Sequence, residues 1–165
     1  MSPRGLGLAA AVLAFLVDQG SKLWLMNVYE IGERQPVRLA PFLDLVMAWN
    51  PGVSYSWFSA TTPAGRWTLV AVTLAATVLL AVWLWRAATR VAGLALGLFV
   101  GGALGNAVDR AAYGAVADFF HFHVGSFSWY VFNLADVAIV AGVALLLYDS
   151  LLAGGGKAQD ATRDA

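Results

Sequence analysis

The chain has 165 residues, of which 60% are hydrophobic and only 12% are charged, and its mean hydropathy is +0.70. A soluble domain carries about a quarter charged residues, so this composition is typical of a membrane protein and excludes an ordinary soluble enzyme. Ten basic residues balance ten acidic ones, which leaves no net charge to attract nucleic acid, and the lack of cysteine excludes disulfides, a thiol nucleophile and cysteine-based metal sites.

Four apolar stretches predict four membrane helices, because each is close to the ~20 residues that cross the hydrocarbon core of a bilayer. In chain order they cover about 6–26, 67–85, 91–108 and 131–152. Only the basic turn RAATR separates the second stretch from the third, so these two form a helical hairpin. The first stretch has the charge and apolar run of a signal peptide, but no small-x-small cleavage site follows it. We therefore expect it to be a retained span.

Lysine and arginine are modestly enriched at one end of the spans, which predicts that both termini lie in the cytoplasm. The loops 27–66 and 111–130 then lie outside. Segment 28–60 is broken by prolines and carries short β-like runs, which indicate a small extracytoplasmic sheet. The expected fold is an all-α integral membrane protein with this β-platform. It forms one domain over 1–152, followed by a flexible cytoplasmic tail at 153–165.

Ionisable residues inside apolar helices need an explanation, since each costs roughly 2.5–3.5 kcal/mol at the bilayer centre on insertion scales. In the first span, Asp18 and Lys22 are four residues apart and share a helix face, with Gln19 beside them. One interpretation is only a neutralised pair near the outer interface, with the lysine reaching towards the headgroups. The other is a functional role for the pair.

The third span combines a glycine stripe with a polar end. Glycines recur every four residues and let a neighbouring backbone approach closely, so Gly93, Gly97, Gly101 and Gly105 predict helix packing. At the end of the span, Asn106, Asp109 and Arg110 share one face. Arg110 is a candidate partner for Asp109, Asp18 or Asp118. A simple interface ion pair explains part of the pattern, but the deeper amide of Asn106 needs a partner of its own.

The fourth span places Asn133 and Asp136 on one helix face, and no basic residue lies within four positions of Asp136. Capping of the helix N-terminus explains this acid only in part, because it lies several residues inside the predicted span. Asp118, on the segment entering this helix, is expected at the same membrane face. Two carboxyl groups within hydrogen-bonding reach share a proton, which is the chemistry of an aspartic protease and requires no serine, cysteine or metal.

Two histidines offer a competing chemistry. His121 and His123 are spaced by two, so they share a strand face, and with Asp118 they form a candidate metal site. A third clear ligand is lacking, so hydrogen bonds from the histidines to loop backbone are the favoured interpretation. We expect neither a metal nor a cofactor.

Five blocks in order resemble the motifs of the lipoprotein signal peptidase family, also called signal peptidase II. DQGSK at 18–22 resembles D-Q-x-x-K, and NPGVSYS at 50–56 resembles N-x-G-x-A-F. GGALGNAVDR at 101–110 is similar to G-N-x-x-D-R, VADF at 116–119 is similar to V-V-D-F, and FNLADVAI at 132–139 matches F-N-x-A-D-x-x-I. Ser54, Tyr55 and Ala117 replace the family's usual Ala, Phe and Val, and we expect these changes to affect only the shape of a substrate pocket.

The resemblance implies an intramembrane aspartic endopeptidase of the bacterial cytoplasmic (inner) membrane, with Asp118 and Asp136 as its catalytic pair. Family members have four membrane helices and an extracytoplasmic β-cradle, and they use no cofactor. They cleave diacylglyceryl-modified prolipoproteins just before the lipidated cysteine, at the outer membrane face, and are inhibited by globomycin. The implied partners are therefore such prolipoproteins and membrane lipids. The resemblance also implies nine supporting or substrate-binding positions, which are Asp18, Lys22, Asn50, Gly52, Asn106, Asp109, Arg110, Asn133 and Ala135.

Two other functions stay open at this point. A small proton-coupled transporter would use Asp18, Asp109 and Asp136 as a relay, although the chain has few spans and no internal repeat. A non-catalytic membrane scaffold would pack through the glycine stripe and would not depend on the carboxyl groups.

Overall fold

The computed structural model describes residues 1–52 and 62–161, with side chains described as far as Leu151. Its helices, in chain order, are α1 (Pro3–Asn27), the one-turn α2 (Ile31–Arg34), α3 (Pro63–Trp85), α4 (Arg90–Tyr113) and α5 (Leu134–Ala161). Among the described residues, all except α2 are long and apolar enough to cross a membrane, which confirms the four predicted spans. The chain is therefore a multi-pass membrane protein.

The helix boundaries differ from the predicted spans in two places that matter. Helix α4 continues through Asp109 and Arg110 to Tyr113, so these polar side chains lie on the helix and not beyond it. Helix α5 begins at Leu134, three residues later than the expected start at 131. Its backbone remains helical to Ala161, past the expected end of the span at 152, and the flexible tail stays a prediction.

Local sequence explains where the long helices begin and where α4 ends. Ser2, Thr62 and Thr89 each precede a helix, and each side-chain oxygen accepts a hydrogen bond from a backbone N–H in the first turn. Helix α4 ends at Gly114, which has a φ of 83°, a left-handed conformation that suits glycine. This turn directs the chain from α4 into the strand that carries Asp118.

Four antiparallel strands make the all-α expectation wrong for the described residues. Strands β1 (Val37–Ala40) and β2 (Leu43–Asn50) come from the predicted platform, whereas β3 (Val116–Val124) and β4 (Phe127–Phe132) connect α4 to α5. The strands lie in the order β1-β2-β3-β4. Strands β2 and β3 pair over a long sequence separation, which the local pattern could not indicate.

The sheet lies at the end of the bundle where α1 and α4 finish and α5 begins, and we call this the sheet end. A buried apolar cluster fixes it there, formed by Leu25, Ile31, Leu45, Ala117 and Phe119. Ala117 is fully buried in this cluster. The replacement of the family's usual valine by this alanine therefore affects the packing of the sheet. The other two departures, Ser54 and Tyr55, lie outside the described residues.

Helix α4 is the central helix and packs against α1, α3 and α5. The glycine stripe packs against a neighbouring helix, as predicted, and that helix is α1. A Cβ atom at Gly93, Gly97 or Gly101 would press on the backbone carbonyl oxygen of Pro3, Gly7 or Ala11, respectively. At Gly105 it would press on the carboxyl group of Asp18. The stripe therefore brings the polar residues of α1 and α4 into direct contact.

Candidate active site

A buried ionic cluster joins α1 to α4 below the sheet. Lys22 Nζ lies 2.8 Å from Asp18 Oδ2 and 2.7 Å from Asp109 Oδ2. The three side chains are no more than 1% exposed. The predicted pair of Asp18 and Lys22 is therefore confirmed, but the lysine does not reach towards the headgroups. The sequence left Arg110 as a candidate partner for Asp109, but Asp109 pairs with Lys22 instead.

Gln19 completes this cluster, although its sequence position alone predicted no role for it. Its Nε2 atom donates to Asp109 Oδ1 at 3.0 Å, to Asp18 Oδ2 at 3.2 Å and to the Gly105 carbonyl at 3.2 Å. The signal was its place directly after the aspartate in DQGSK. An amide that contacts both carboxyl groups and the glycine stripe locks the register of α1 on α4.

Asn106 connects the ionic cluster to the first turn of α5. Its Oδ1 atom accepts from Lys22 Nζ at 3.2 Å and from Asn133 Nδ2 at 3.1 Å. Its Nδ2 atom donates to Asp136 Oδ1 at 3.0 Å. The predicted need for a partner deep in the span is thus met by three partners, one on α1 and two at the start of α5.

Asp136 and Asn133 form a reciprocal cap at the start of α5. The Asp136 backbone N–H donates to Asn133 Oδ1 at 3.0 Å, and the Asn133 N–H donates to Asp136 Oδ2 at 3.1 Å. This is the hydrogen-bond pattern of a capping box, with an aspartate in place of the usual glutamate. Because α5 begins at Leu134, Asp136 lies in its first turn. Capping therefore explains the position of this carboxyl group better than the sequence suggested. One carboxyl oxygen, Oδ2, caps the helix, and the other, Oδ1, accepts from Asn106.

Asp118 lies in β3, outside the membrane helices, and is 3% exposed. Asn133 Nδ2 donates to its Oδ1 at 2.6 Å, and Asn50 Nδ2 donates to its Oδ2 at 3.3 Å. Burial and then the negative charge of Asp136 raise the pKa of Asp118 to about 7, against the opposing effect of the two amides. This carboxyl group therefore titrates near neutral pH.

A partly open cavity of about 470 Å³ contains both carboxyl groups. Its polar end is formed by Asp118, Asp136, Asn106 and Asn50, together with Arg110. Its apolar walls come from α3, α4 and α5, with Leu69, Val72, Leu80, Phe99, Ile139 and Val140 among the lining residues. Tyr130 of β4 also lines it and lies outside the five motif blocks. The cavity can therefore hold a molecule with one polar and one strongly apolar part.

Arg110 lies in this cavity without an ion pair within 4.0 Å among the described residues. It donates to the carbonyl oxygen of Gly52 at 2.7 Å and to that of Asn106 at 3.4 Å. Its Nε atom is buried and has no hydrogen-bond partner in the part of the chain that the structure describes. Arg110 was a candidate to neutralise a neighbouring carboxylate, but it instead donates hydrogen bonds to backbone carbonyls and so connects α4 to the segment after β2.

Gly52 and Ala135 contribute mainly through their backbones. The Gly52 N–H donates to Asn50 Oδ1 at 3.1 Å, which fixes the amide that faces Asp118. The Ala135 N–H donates to Asp18 Oδ1 at 2.9 Å, and its small side chain is fully buried. These contacts bring all eleven predicted site residues into one connected region at the sheet end.

The histidines occupy a different part of the sheet. Their rings lie 5.3 Å apart on β3, which confirms the shared strand face. His121 Nε2 contacts Ser128 Oγ at 2.7 Å, and His123 Nε2 contacts Asp44 Oδ2 at 3.0 Å. Their partners are therefore side chains and not loop backbone. No group of three metal-binding side chains is found in the described part of the chain.

Comparisons with known proteins agree with one another. The family model of signal peptidase (SPase) II matches residues 10–152. A lipoprotein signal peptidase of Methylocella silvestris is 64% identical over 156 residues, which cover 94% of this chain and 91% of the relative. One of Beijerinckia indica is 63% identical over 150 residues, which cover 91% and 90%.

A solved structure has a similar fold. A bacterial membrane enzyme superposes with a TM-score of 0.80 at 25% sequence identity, over 93% of this chain and 92% of the other. The match over the whole membrane portion, the high identity to full-length relatives and the shared fold lead to one conclusion. The chain belongs to the signal peptidase II family.

Proposed function

We propose that this chain is an aspartic endopeptidase that removes the signal peptide from diacylglyceryl-modified prolipoproteins by cleaving before the lipidated cysteine. The observation that carries the proposal is that Asp118 and Asp136 line one cavity and share the side chain of Asn133. Relatives with 63–64% identity are lipoprotein signal peptidases, which supports this substrate class. They give no support to a transporter.

The proposed chemistry uses the pair with one proton between them. The protonated carboxyl group donates a hydrogen bond to the carbonyl oxygen of the scissile peptide. A water molecule adds to the carbonyl carbon, its proton passes to the ionised carboxylate, and the other carboxyl proton moves to the carbonyl oxygen. When the C–N bond breaks, the nitrogen takes the proton that the initially ionised carboxylate received from water. The other carboxylate recovers a proton from a hydroxyl group of the tetrahedral intermediate, which collapses to the new carboxyl group. The products are a new carboxyl terminus and a free amino group on the cysteine.

The shape of the cavity supports a lipid-bearing substrate. Its apolar walls belong to membrane helices, so acyl chains and an apolar signal peptide meet it from within the bilayer. Its polar end lies at the sheet end, where the scissile bond arrives at headgroup depth. We place the sheet end at the outer face of the bacterial cytoplasmic membrane and both termini in the cytoplasm. The supporting residues hold the carboxyl pair in place, and Arg110 faces the substrate.

The test is cleavage of a purified diacylated prolipoprotein by the detergent-solubilised protein. Asp118→Asn and Asp136→Asn each remove one titrating oxygen with little change in shape, and each should lower the cleavage rate at least ~10³-fold while the protein still folds. His121→Ala is the matched control, because this residue lies on the same strand outside the cavity, and it should retain activity. Globomycin should inhibit the parent protein. Full activity in either aspartate variant overturns the proposal.

A further inference from the structure

We infer that the far end of the four-stranded sheet is a lipid-binding surface, which seats one apolar face among the phospholipid headgroups at the sheet end. This face is formed by one residue of the β1–β2 turn and four of the β3–β4 hairpin, and we call it the apolar tip. Its members are Phe42, Phe122, Val124, Phe127 and Trp129. The inference goes beyond the proposed function, because it concerns how the sheet is held at the membrane.

Pairing and ring contacts place the five side chains of the apolar tip together. Val124 lies opposite Phe127 in the β3–β4 ladder, so these two side chains share a face. The rings of Phe127 and Trp129 lie 5.8 Å apart, and those of Phe42 and Phe122 lie 5.9 Å apart. All members except Phe122 are between 43% and 56% exposed. An uncharged and largely aromatic patch of this kind marks a surface that contacts a partner or a membrane.

The opposite face of the same strands is polar. Asp44 lies opposite Arg38 on β1 and opposite His121 on β3, and His123 lies opposite Ser128 on β4. The Asp44 carboxylate contacts Arg38 at 3.2 Å and His123 at 3.0 Å, and His121 contacts Ser128 at 2.7 Å. One polar face and one apolar face are typical of an element that lies in the membrane interface with a single side in water.

Asp118 shows which way the apolar tip faces. Side chains alternate along a strand, so Phe122 and Val124 project from the same face of β3 as Asp118. Asp118 accepts from Asn133, directly before α5, so this face is turned towards the helix ends. Val124 lies six residues further along β3, about 20 Å at roughly 3.3 Å per residue. Since the tip stays exposed, it lies beside the bundle, where lipid surrounds the helices.

Continuity with the membrane spans favours lipid as the occupant. The Trp129 ring lies 5.1 Å from the ring of Tyr130, which lines the cavity together with Val140 of α5. Val137 and Val140 are 48% and 61% exposed on this span, so they belong to its lipid-facing surface. The apolar tip therefore extends a surface that already contacts lipid. Tryptophan and tyrosine suit headgroup depth, because each ring combines an apolar body with a polar N–H or O–H.

Single cysteines test the inference, because the chain has none of its own. Val124→Cys lies on the apolar face, and Ser128→Cys on the polar face is the matched control. Each is labelled with a thiol-reactive fluorophore in phosphatidylcholine nanodiscs that hold one copy of the protein. Nitroxide-bearing phospholipid should quench the Val124→Cys label at least about twofold more than the control, because interfacial side chains lie about 5–10 Å into the headgroup boundary. Aqueous iodide should show the reverse order.

A pair of substitutions separates apolar contact from other causes of quenching. Phe42→Ser with Phe127→Ser removes much of the apolar area and should abolish the preference of the Val124→Cys label for lipid quenching. Phe42→Leu with Phe127→Leu keeps the surface apolar and should retain it. Adding an anionic phospholipid should leave the quenching unchanged, because no member of the apolar tip carries a charge.

Three results overturn the inference: equal lipid quenching at the two positions, stronger iodide quenching at Val124→Cys, or a lipid preference that survives both serine substitutions. Protection of Val124→Cys that appears only with two copies in a disc also overturns it, and assigns the apolar tip to a second copy of the chain. If Val124→Cys does not fold, Phe127→Cys on the same face replaces it. No outcome depends on cleavage, so the result is separate from that of the proposed function.

Discussion

At the scale of single residues, Asp118 is the group whose surroundings set a pH range. Burial opposes its charged form more than any other influence, and the neighbouring Asp136 adds to this, so its pKa is raised to about 7. The folded protein thus binds this proton more tightly than the unfolded chain does. The contribution of Asp118 to stability consequently falls as pH rises from the ordinary value of 3.8 to about 7.

The same residue predicts the alkaline limit of activity. The proposed chemistry requires one proton on the pair, so kcat/KM should fall as pH rises through about 7, approaching a tenfold loss for each further pH unit. The midpoint belongs to the coupled pair and not to one residue. A pH series with one diacylated substrate, in a detergent whose micelles are insensitive to pH, measures it. A rate that stays constant to pH 9 contradicts the need for a proton.

At the scale of elements, the contact of α1 with α4 determines whether the site exists. The glycine stripe lets the two backbones touch, and Gly105 in that stripe lies against the carboxyl group of Asp18. Any separation of these helices would stretch the contacts of Lys22 with Asp109 and Asn106. Packing and site geometry therefore depend on the same interface.

Two glycine substitutions test this interface. Gly97→Ala places a methyl group against the backbone carbonyl of Gly7, which cannot move without shifting α1, whereas a Cβ at exposed Gly20 of α1 meets nothing within 4 Å. Gly97→Ala should destabilise the protein by about 1–3 kcal/mol and reduce cleavage. Gly20→Ala should leave stability equal or slightly higher, because alanine favours helix. Thermal unfolding in detergent measures both, and equal melting temperatures contradict the close contact.

The sequence predicted these elements unevenly, for physical reasons. A four-residue glycine spacing and the i, i+4 spacing of Asp18 and Lys22 are local patterns, and both were confirmed. The second carboxylate on Lys22 comes from Asp109 on another helix, and β3 pairs with β2 across two spans. Such partners are set by tertiary packing, so no local pattern indicates them. The five motif blocks predicted which residues belong to the candidate site without indicating how these residues contact one another.

At the scale of the whole molecule, the sheet and the short α3–α4 turn lie at opposite ends of the bundle. Since the chain has no cysteine, labelling of a single introduced cysteine shows on which side of the membrane that residue lies. In intact cells, a membrane-impermeant thiol reagent should label Ser126→Cys in the exposed β3–β4 turn. The same reagent should label Ala88→Cys in the α3–α4 turn only after the cells are lysed. The reverse pattern would invert the proposed orientation.

The division of the sheet between two distant segments has a consequence for the order of assembly. Strand β2 is made before α3, and its partner β3 follows α4, so the pairing that brings Asn50 to Asp118 waits until two more helices are inserted. Asp136 arrives later still, with the last helix. A partly inserted chain therefore holds no complete pair of carboxyl groups. Completion of the last helix is therefore the step at which the proposed catalytic pair first forms.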